Sequence, residues 1–493
     1  MDLAWLLAPP RPAATPLRQL LHLRLRAAIV DGRLATGCRL PASRTLAAEL
    51  GVARNTVIHA YQQLIAEGCL DADRHGTRVA ALPAAHRAAS GPRPTPPTLP
   101  GLSARARVGV HADDGHRQAL LPLAPGMPEL GAFPFRSWRA CLERAWRNAT
   151  ARQLGYAPHG GEPALRAALA AHLAGTRGFA VAPEQVIVTA GAQSALDLCA
   201  RLLADAGDTA WIENPGYPWA RTALGLAGLA LHPVAIDDEG MAPAPAAWTT
   251  RRPRLILVTP THQYPSGREM SLARRLALID QARAAGAWII EDDYDSEFRR
   301  HRPAQPALYG LRDDAPVIHC GTFSKTLYPG LRIGYLVVPG ALAEAFARAA
   351  AQSTRPGQGI EQAALAEFIE RGHYTAHLRR MRRRYDRRQH ALRAALARHP
   401  GPETAITGGG AGLHLTLWLP PQLDDRKVCA AAAELGLGVR ALSRYTLPPL
   451  ACNGLLLGYG NTDEAVIDAA VRRLRTAMQH ATRPAPPPQP TPT

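Results

Sequence analysis

Six short apolar runs between residues 118 and 480 (QVIVTA, DTAWIE, RLILVTP, AWIIEDD, PVIHCGT and YLVVP) alternate with helix-like stretches such as GAQSALDLCARLLADA and SLARRLALIDQARAAG. Apolar runs this short and continuous are strands that need cover, and the alternating helices supply it. The pattern therefore predicts an α/β layer built on a mostly parallel sheet. Sheets of this kind take ligands at the carboxyl ends of their strands. Polar clusters fall at those ends: Gly191, Ala192 and Gln193 after the first run, Asp292 and Tyr294 after the fourth, and Thr322, Ser324 and Lys325 after the fifth.

Of 57 Lys and Arg residues only two, Lys325 and Lys427, are lysine. A position that keeps an ammonium in so arginine-biased a chain points to a task guanidinium cannot perform. That task is losing a proton near neutral pH and condensing with an aldehyde. An aldehyde cofactor with a ring nitrogen and a phosphate needs, besides the lysine, a carboxylate on the nitrogen and an aromatic ring on one face. Its phosphate needs backbone N–H groups at a helix start, with hydroxyls and an arginine nearby. Each part has a candidate: Asp292 for the nitrogen, Tyr217 in ENPGYPWAR for stacking, and Ala192, Gln193, Thr322, Ser324 and Arg332 for the phosphate. Singly these are common turn and strand-end residues; the weight lies in their combination and order.

The 493 residues, 47% of them apolar, can fill two or three domains, and the formal charge of +17 favours an anionic partner, nucleic acid first. The seven cysteines form no CxxC pair or metal-like spacing, so neither a disulfide framework nor a metal site is expected. The opening MDLAWLLAPPRP lacks the basic and apolar regions of an export signal, and no stretch has the length of a membrane span. The expected compartment is the cytoplasm, with no membrane partner. Composition divides the chain into an N-terminal block at 15–81, a Pro- and Ala-rich linker at 82–117, the α/β block at 118–480 and a Pro-rich tail at 481–493.

In the N-terminal block Leu21, Leu25 and Ile29 recur every four residues up to Asp31-Gly32, as in an amphipathic helix stopped by glycine. A short helix from Ser43, a break at Gly51 and a second helix with Val57, Tyr61, Leu64 and Ile65 on one face follow, then two short strands around a polar turn with Gly76. A helix-turn-helix of this order places the start of its second helix at base edges, so Arg54, Asn55 and Thr56 face DNA, with Arg39, Ser43, Arg44, Arg74 and Arg78 nearby. The stretch GRLATGCRLPASRTLAAELGVARNTVIHAYQQLIAEG resembles the winged-helix domain of the GntR family of bacterial regulators over about residues 17–80. Ala53, where that family commonly has serine, and the Arg-His-Gly-Thr-Arg wing depart from it.

The segments LGYAPHGGEPALRAALAAHL, VTAGAQSALDL, ENPGYP, VTPTHQYPSG, IIEDDYDSEFR and GTFSKTLYPGLRIGYLVVP resemble, in order, the fold-type I aminotransferase domain that binds pyridoxal 5′-phosphate, over about residues 120–475. The resemblance implies a mostly parallel sheet with a smaller C-terminal α+β subdomain. It also implies Lys325 as the Schiff-base lysine, Asp292 on the pyridine nitrogen, Tyr217 as the stacking ring, and Ala192, Gln193, Thr322, Ser324 and Arg332 as the phosphate cup. Tyr294 would lie near the phenolic oxygen. Two positions depart: Tyr264 stands where an asparagine normally bonds that oxygen, and Leu456 in GLLLGYG stands where an arginine clamps the substrate carboxylate. Arg444 in ALSRYTLPP is the candidate substitute. Winged helix, linker and such a domain together resemble the MocR subfamily of GntR regulators. The implied function is a homodimeric regulator that binds a double-stranded operator and senses the cofactor or an amino compound. The alternative is an active aminotransferase tethered to a DNA-binding domain.

Overall fold

The computed structural model describes residues 3–7, 16–74, 76–81, 101, 103, 105–106, 118–156, 158–299, 305–353 and 357–482. The chain divides into two compact units, Met1–Gly101 and Leu102–Thr493. The linker expected at 82–117 lies almost wholly outside the described residues, as does the tail beyond Thr482. All seven cysteines are free thiols.

The first unit carries α1 (Leu17–Val30), α2 (Ser43–Leu50), α3 (Arg54–Ala66) and an antiparallel hairpin, β1 (Leu70–Asp73) with β2 (Gly76–Val79). Gly51 separates α2 from α3 in the left-handed conformation at φ 62°, open to glycine without steric cost. Leu21, Leu25, Leu46, Val57, Leu64, Leu70 and Val79 close one core. Tyr61 donates to the carbonyl of Pro41 at 2.9 Å, pinning the Leu-Pro-x-Ser segment onto α3. Two expectations are corrected here. Ile65 is 38% exposed, because the buried stripe of α3 runs through Val57, Ala60, Tyr61 and Leu64, leaving it on the flank. Gly76 opens β2 instead of sitting in the turn. The hairpin gains a third rung where Leu40 N–H bonds Thr77 O at 2.9 Å and Arg39 bridges Arg78.

The second unit is built on an eight-stranded sheet: β3 (Val186–Thr189), β4 (Thr209–Asn214), β5 (Ala230–Asp237), β6 (Gly240–Met241), β7 (Leu255–Val258), β8 (Trp288–Asp293), β9 (Val317–Thr322) and β10 (Gly334–Val337). The spatial order is β3-β10-β9-β8-β7-β4-β5-β6. From β9 to β5 the strands are parallel, while β10 runs against both neighbours and β6 against β5. Helices Ala192–Leu203 and Gly340–Ser353 cover one face with Leu196, Cys199 and Phe346 in the core. Helix Leu272–Ala285 covers part of the other with Leu278 and Ile279.

A four-stranded antiparallel sheet of β11 (Ala405–Gly408), β12 (His414–Trp418), β13 (Arg440–Ala441) and β14 (Gly454–Gly458), ordered β11-β12-β14-β13, forms the C-terminal α+β part. Helices Asp425–Glu434 and Glu464–Thr482 pack on it through Val428, Val471 and Leu474. Among the described residues no helix is long and apolar enough to cross a membrane.

Candidate functional site

At the start of α3, Arg54 and Asn55 are exposed and Thr56 is half-buried; Arg39, Arg44, Arg74 and Arg78 are exposed as well. Arg54 Nε lies 3.4 Å from the hydroxyl of half-buried Ser43, which ties the starts of α2 and α3 together. The basic side chains expected to meet DNA thus lie at these two helix starts and along the wing, with Val57 and Tyr61 turned inward as expected.

In the second unit the strand ends converge on Lys325. Just past β9, its Nζ donates to the carbonyl of Gly126 at 2.7 Å. Burial pulls its pKa down, against the pull of the Asp295 and Asp292 carboxylates. Asp292, near the end of β8, is buried and its Oδ1 has no partner among the described residues. Burial lifts this carboxyl to about 7, with Asp295 adding to the rise and His319 and Lys325 opposing it.

Gly191, at φ 92°, leads straight from β3 into helix Ala192–Leu203, whose first turn has no side-chain cap. A methyl group on Gly191 would lie 3.6 Å from the guanidinium carbon of Arg332, so the arginine sits against that helix start. Uncapped N–H groups and a guanidinium together make an anion site. Thr322 Oγ1 bonds Ser324 Oγ at 3.1 Å and accepts from Ser324 N–H at 3.2 Å, setting both hydroxyls at the end of β9. Gln193 Nε2 is held by Trp219 O at 2.8 Å.

Tyr217 caps helix Pro218–Leu226, and its ring meets that of Tyr264 edge-on at 5.8 Å. Tyr264 donates its hydroxyl to Tyr445 at 3.2 Å. Tyr294 donates to His262 O at 2.9 Å. Leu456 lies buried in β14 with Leu442 and Tyr445, against half-buried Tyr264 and Trp418, so an apolar and aromatic cluster stands at the position compared with the carboxylate-clamping arginine. Arg444 is exposed on the turn Leu442–Tyr445, where its charge acts on the Cys429 thiol, and the next residue, Tyr445, is buried in this cluster.

The sequence reading passed over three further residues. His262, Asp295 and His414 are all buried and bring one ligating atom each within 4.8 Å of one another. Two of them lie inside quoted motifs, VTPTHQYPSG and IIEDDYDSEFR. His414 opens a strand far along the chain, and no local spacing announces it.

A winged helix-turn-helix and an aminotransferase-type α/β fold in one chain define a two-part regulator. Residues 17–79 match the family described as bacterial regulatory proteins, gntR family, and residues 122–476 match aminotransferase class I and II. The chain belongs to the MocR subfamily of GntR-family transcriptional regulators, DNA-binding proteins with an aminotransferase-like domain. It is 40% identical, over 95% of both chains, to the probable rhizopine catabolism regulatory protein MocR of Rhizobium meliloti. It is 34% identical, over 97% of this chain and 99% of the relative, to the pyridoxine biosynthesis transcriptional regulator PdxR of Corynebacterium glutamicum. Among solved structures, an archaeal alanine:glyoxylate aminotransferase superposes with a TM-score of 0.70 at 25% identity, covering 77% of this chain and 98% of that one. LysN, an α-aminoadipate aminotransferase of Thermus thermophilus complexed with N-(5′-phosphopyridoxyl)-L-leucine, superposes with a TM-score of 0.69 at 28% identity, covering 77% of this chain and 97% of that one.

Proposed function

We propose that this regulator binds pyridoxal 5′-phosphate through Lys325 and reads out the state of that site, responding to the cofactor itself or to an amino compound by changing its hold on a double-stranded operator. The observation that carries the reading is the Oδ1 of buried Asp292, without a partner among the described residues, on the same strand-end surface as the Lys325 amine. Leaving a buried acceptor unsatisfied costs about 1–3 kcal/mol, which a protonated ring nitrogen would offset. The residues present fit the cofactor: Lys325 for the aldehyde, Asp292 for the ring nitrogen and Tyr217 for the ring face. The helix start at Ala192-Gln193 with Thr322, Ser324 and Arg332 suits the phosphate, and Tyr294 the phenolic oxygen. When bound, the cofactor supplies an electrophilic carbon that exchanges between Lys325 and an incoming primary amine.

Leu456 and its aromatic neighbours favour sensing over turnover. A bidentate guanidinium–carboxylate pair gives an α-amino acid both affinity and orientation, and an apolar cluster gives it neither. The aminotransferases among the structural neighbours support the second reading, a working transaminase. We also infer a cytoplasmic homodimer. Phe135, Trp146, Leu154 and Tyr156 are 61%, 58%, 63% and 85% exposed within one stretch of chain, an apolar surface suited to a second copy. In such a dimer Arg39, Ser43, Arg44, Arg54, Asn55, Thr56 and Arg78 of each copy engage one half-site.

The test is operator affinity of cofactor-free, cofactor-loaded and amine-treated protein at one salt concentration, beside multiple-turnover transaminase assays. Effector and DNA should couple by about 1–3 kcal/mol, reciprocally. Equal affinities in all three states with brisk turnover would favour the transaminase.

A further inference from the structure

Helix His373–Arg398, in the second unit, has nine arginines among its 26 residues. Leu378, Met381, Tyr385 and Leu392 seat it in the core, and the buried Arg388 is satisfied by the Glu129 carboxylate and the carbonyl of Gly460. The function proposed above leaves the solvent side of this helix unused. There Arg379, Arg380, Arg383 and Arg387 are exposed and Arg384 is half-buried. With Ala376 these five arginines line a surface cleft of about 290 Å³, and among the described residues no acid lines it.

Positions 379 and 383, 380 and 384, and 383 and 387 are each four residues apart, the spacing at which opposite charges stabilise a helix and like charges weaken it. Elsewhere in this unit that spacing is used for attraction: Arg201 meets Asp197, Arg348 meets Glu344, Arg371 meets Glu367 and Arg472 meets Asp468. In the arginine helix the single acid, Asp386, lies 3.7 Å from His390. Arg380 bonds Ala132 O at 3.0 Å, and Arg387 bonds Glu464 at 3.0 Å. Arg379, Arg383 and Arg384 have no ion-pair partner among the described residues. The helix dipole does not compensate them, since it favours cations in the last turn and these stand in the middle. Cations kept together against their own repulsion form a surface suited to an anion from outside the chain.

We propose that the Arg379–Arg387 face is a second DNA-contact surface, which grips the phosphates of a duplex bound by the first unit. At 1.5 Å per residue the stripe is about 12 Å long, a length of duplex axis that carries roughly seven phosphate charges. A row of cations this long fits a polyanion better than one small anion. The chain supplies the polyanion itself: a duplex held by the winged helix is presented to the rest of the same molecule at high effective concentration. Guanidinium takes phosphate oxygens in a bidentate fork. Such contacts add affinity and salt dependence without reading bases. The proposal rests on DNA binding by the first unit and is independent of the cofactor.

The experiment measures binding of full-length protein to a long random-sequence duplex by fluorescence anisotropy at several salt concentrations. The stripe variant Arg379→Gln/Arg383→Gln/Arg384→Gln is compared with wild type and with Arg201→Gln/Arg348→Gln/Arg472→Gln, which removes the same charge from arginines paired with acids. The stripe variant should bind roughly tenfold or more weakly at low salt, with a salt slope shallower by about 2–3. The control should shift the slope by no more than about one. Thermal unfolding of the stripe variant should stay at or above the wild-type midpoint, because like-charge pairs are gone; should it fall below, Arg383→Gln alone decides, with an expected slope change of about one. Equal affinity and slope in the stripe and control variants would overturn the proposal and leave the stripe a solvated surface. Poly-glutamate that binds wild type as tightly as the duplex at equal charge, and loses that affinity in the stripe variant, would assign the face to an acidic protein and overturn it as well.

Discussion

Glu291 and Asp292 are neighbours on β8, and successive strand residues point to opposite faces of a sheet. Both are buried. Glu291 accepts from Leu308 N–H at 2.9 Å and Tyr309 N–H at 3.3 Å, meets His319 Nδ1 at 3.1 Å, and has Arg275 at 3.9 Å. Burial alone would raise its pKa, but His319, Arg275 and Arg177 outweigh burial and hold the carboxyl at about 2. Asp292 has an oxygen with no partner among the described residues, and burial takes it to about 7. One carboxylate is satisfied by the fold. The other is left open on the side where Lys325 lies, and that is how a fold residue and a site residue differ when both are buried acids on one strand.

The largest effect belongs to the open face. Lys325→Ala should abolish the visible absorption seen on loading with pyridoxal phosphate while far-ultraviolet circular dichroism stays the same; a retained band would place the linkage elsewhere. On the closed face, Glu291→Gln breaks a buried charge network and should destabilise the second unit by roughly 3–5 kcal/mol, measured by denaturant unfolding. If the variant is as stable as wild type, Glu291 is not the fold residue argued here.

Asp292→Asn should do the reverse, lowering cofactor affinity roughly ten- to a hundredfold with little loss of stability in the cofactor-free protein. The pH dependence sharpens the contrast. Asp292 keeps its proton in the folded state up to about 7, whereas the unfolded chain releases it near 3.8. The unfolded state therefore binds fewer protons across that window, and this group makes the protein less stable as pH rises through it. Glu291 is already ionised when folded down to about 2, against 4.5 when unfolded, so its contribution is present above 4.5 and lost as pH falls towards 2. Asp292→Asn should flatten the upper limb of the stability profile and Glu291→Gln the lower one; unaltered limbs in both would dissolve the distinction.

The same division appears on α3, with smaller magnitudes. Arg54 is exposed at its start, and Arg54→Ala should weaken operator binding by roughly 1–3 kcal/mol if it reaches a base edge. A uniform loss on all duplexes, with a shallower salt slope, would make it a phosphate contact. Tyr61 faces inward about two turns further on, and Tyr61→Phe should cost the first unit about 0.5–1.5 kcal/mol by removing its bond to Pro41, leaving sequence preference alone.

Legibility in the sequence followed the strength of local pattern. The six apolar runs became β3, β4, β7, β8, β9 and β10, because a strand buried on both faces must be continuously apolar. β5 escaped notice because it lies near the sheet edge with His232, Pro233 and Asp237 in it and Val234 as its one fully buried residue. The reversal of β10 was equally hidden, since an apolar run carries no direction. Lys325 and Asp292 could be read from motifs at strand ends. The His262, Asp295 and His414 group could not, since three loops and strands far apart in sequence meet only when the small sheet folds against the large one.

Asn214 grips Leu447 with paired amide bonds of 2.8 and 2.9 Å, Gly216 N–H bonds Tyr445 O at 2.9 Å, and Arg221 bonds the same carbonyl. The loop that carries Tyr217 is therefore bolted to the Tyr445–Leu447 turn, just after β13 and ahead of β14. Stacking loop and turn thus share one set of fastenings, and any load placed on the Tyr217 ring is borne by the Tyr445–Leu447 turn as well.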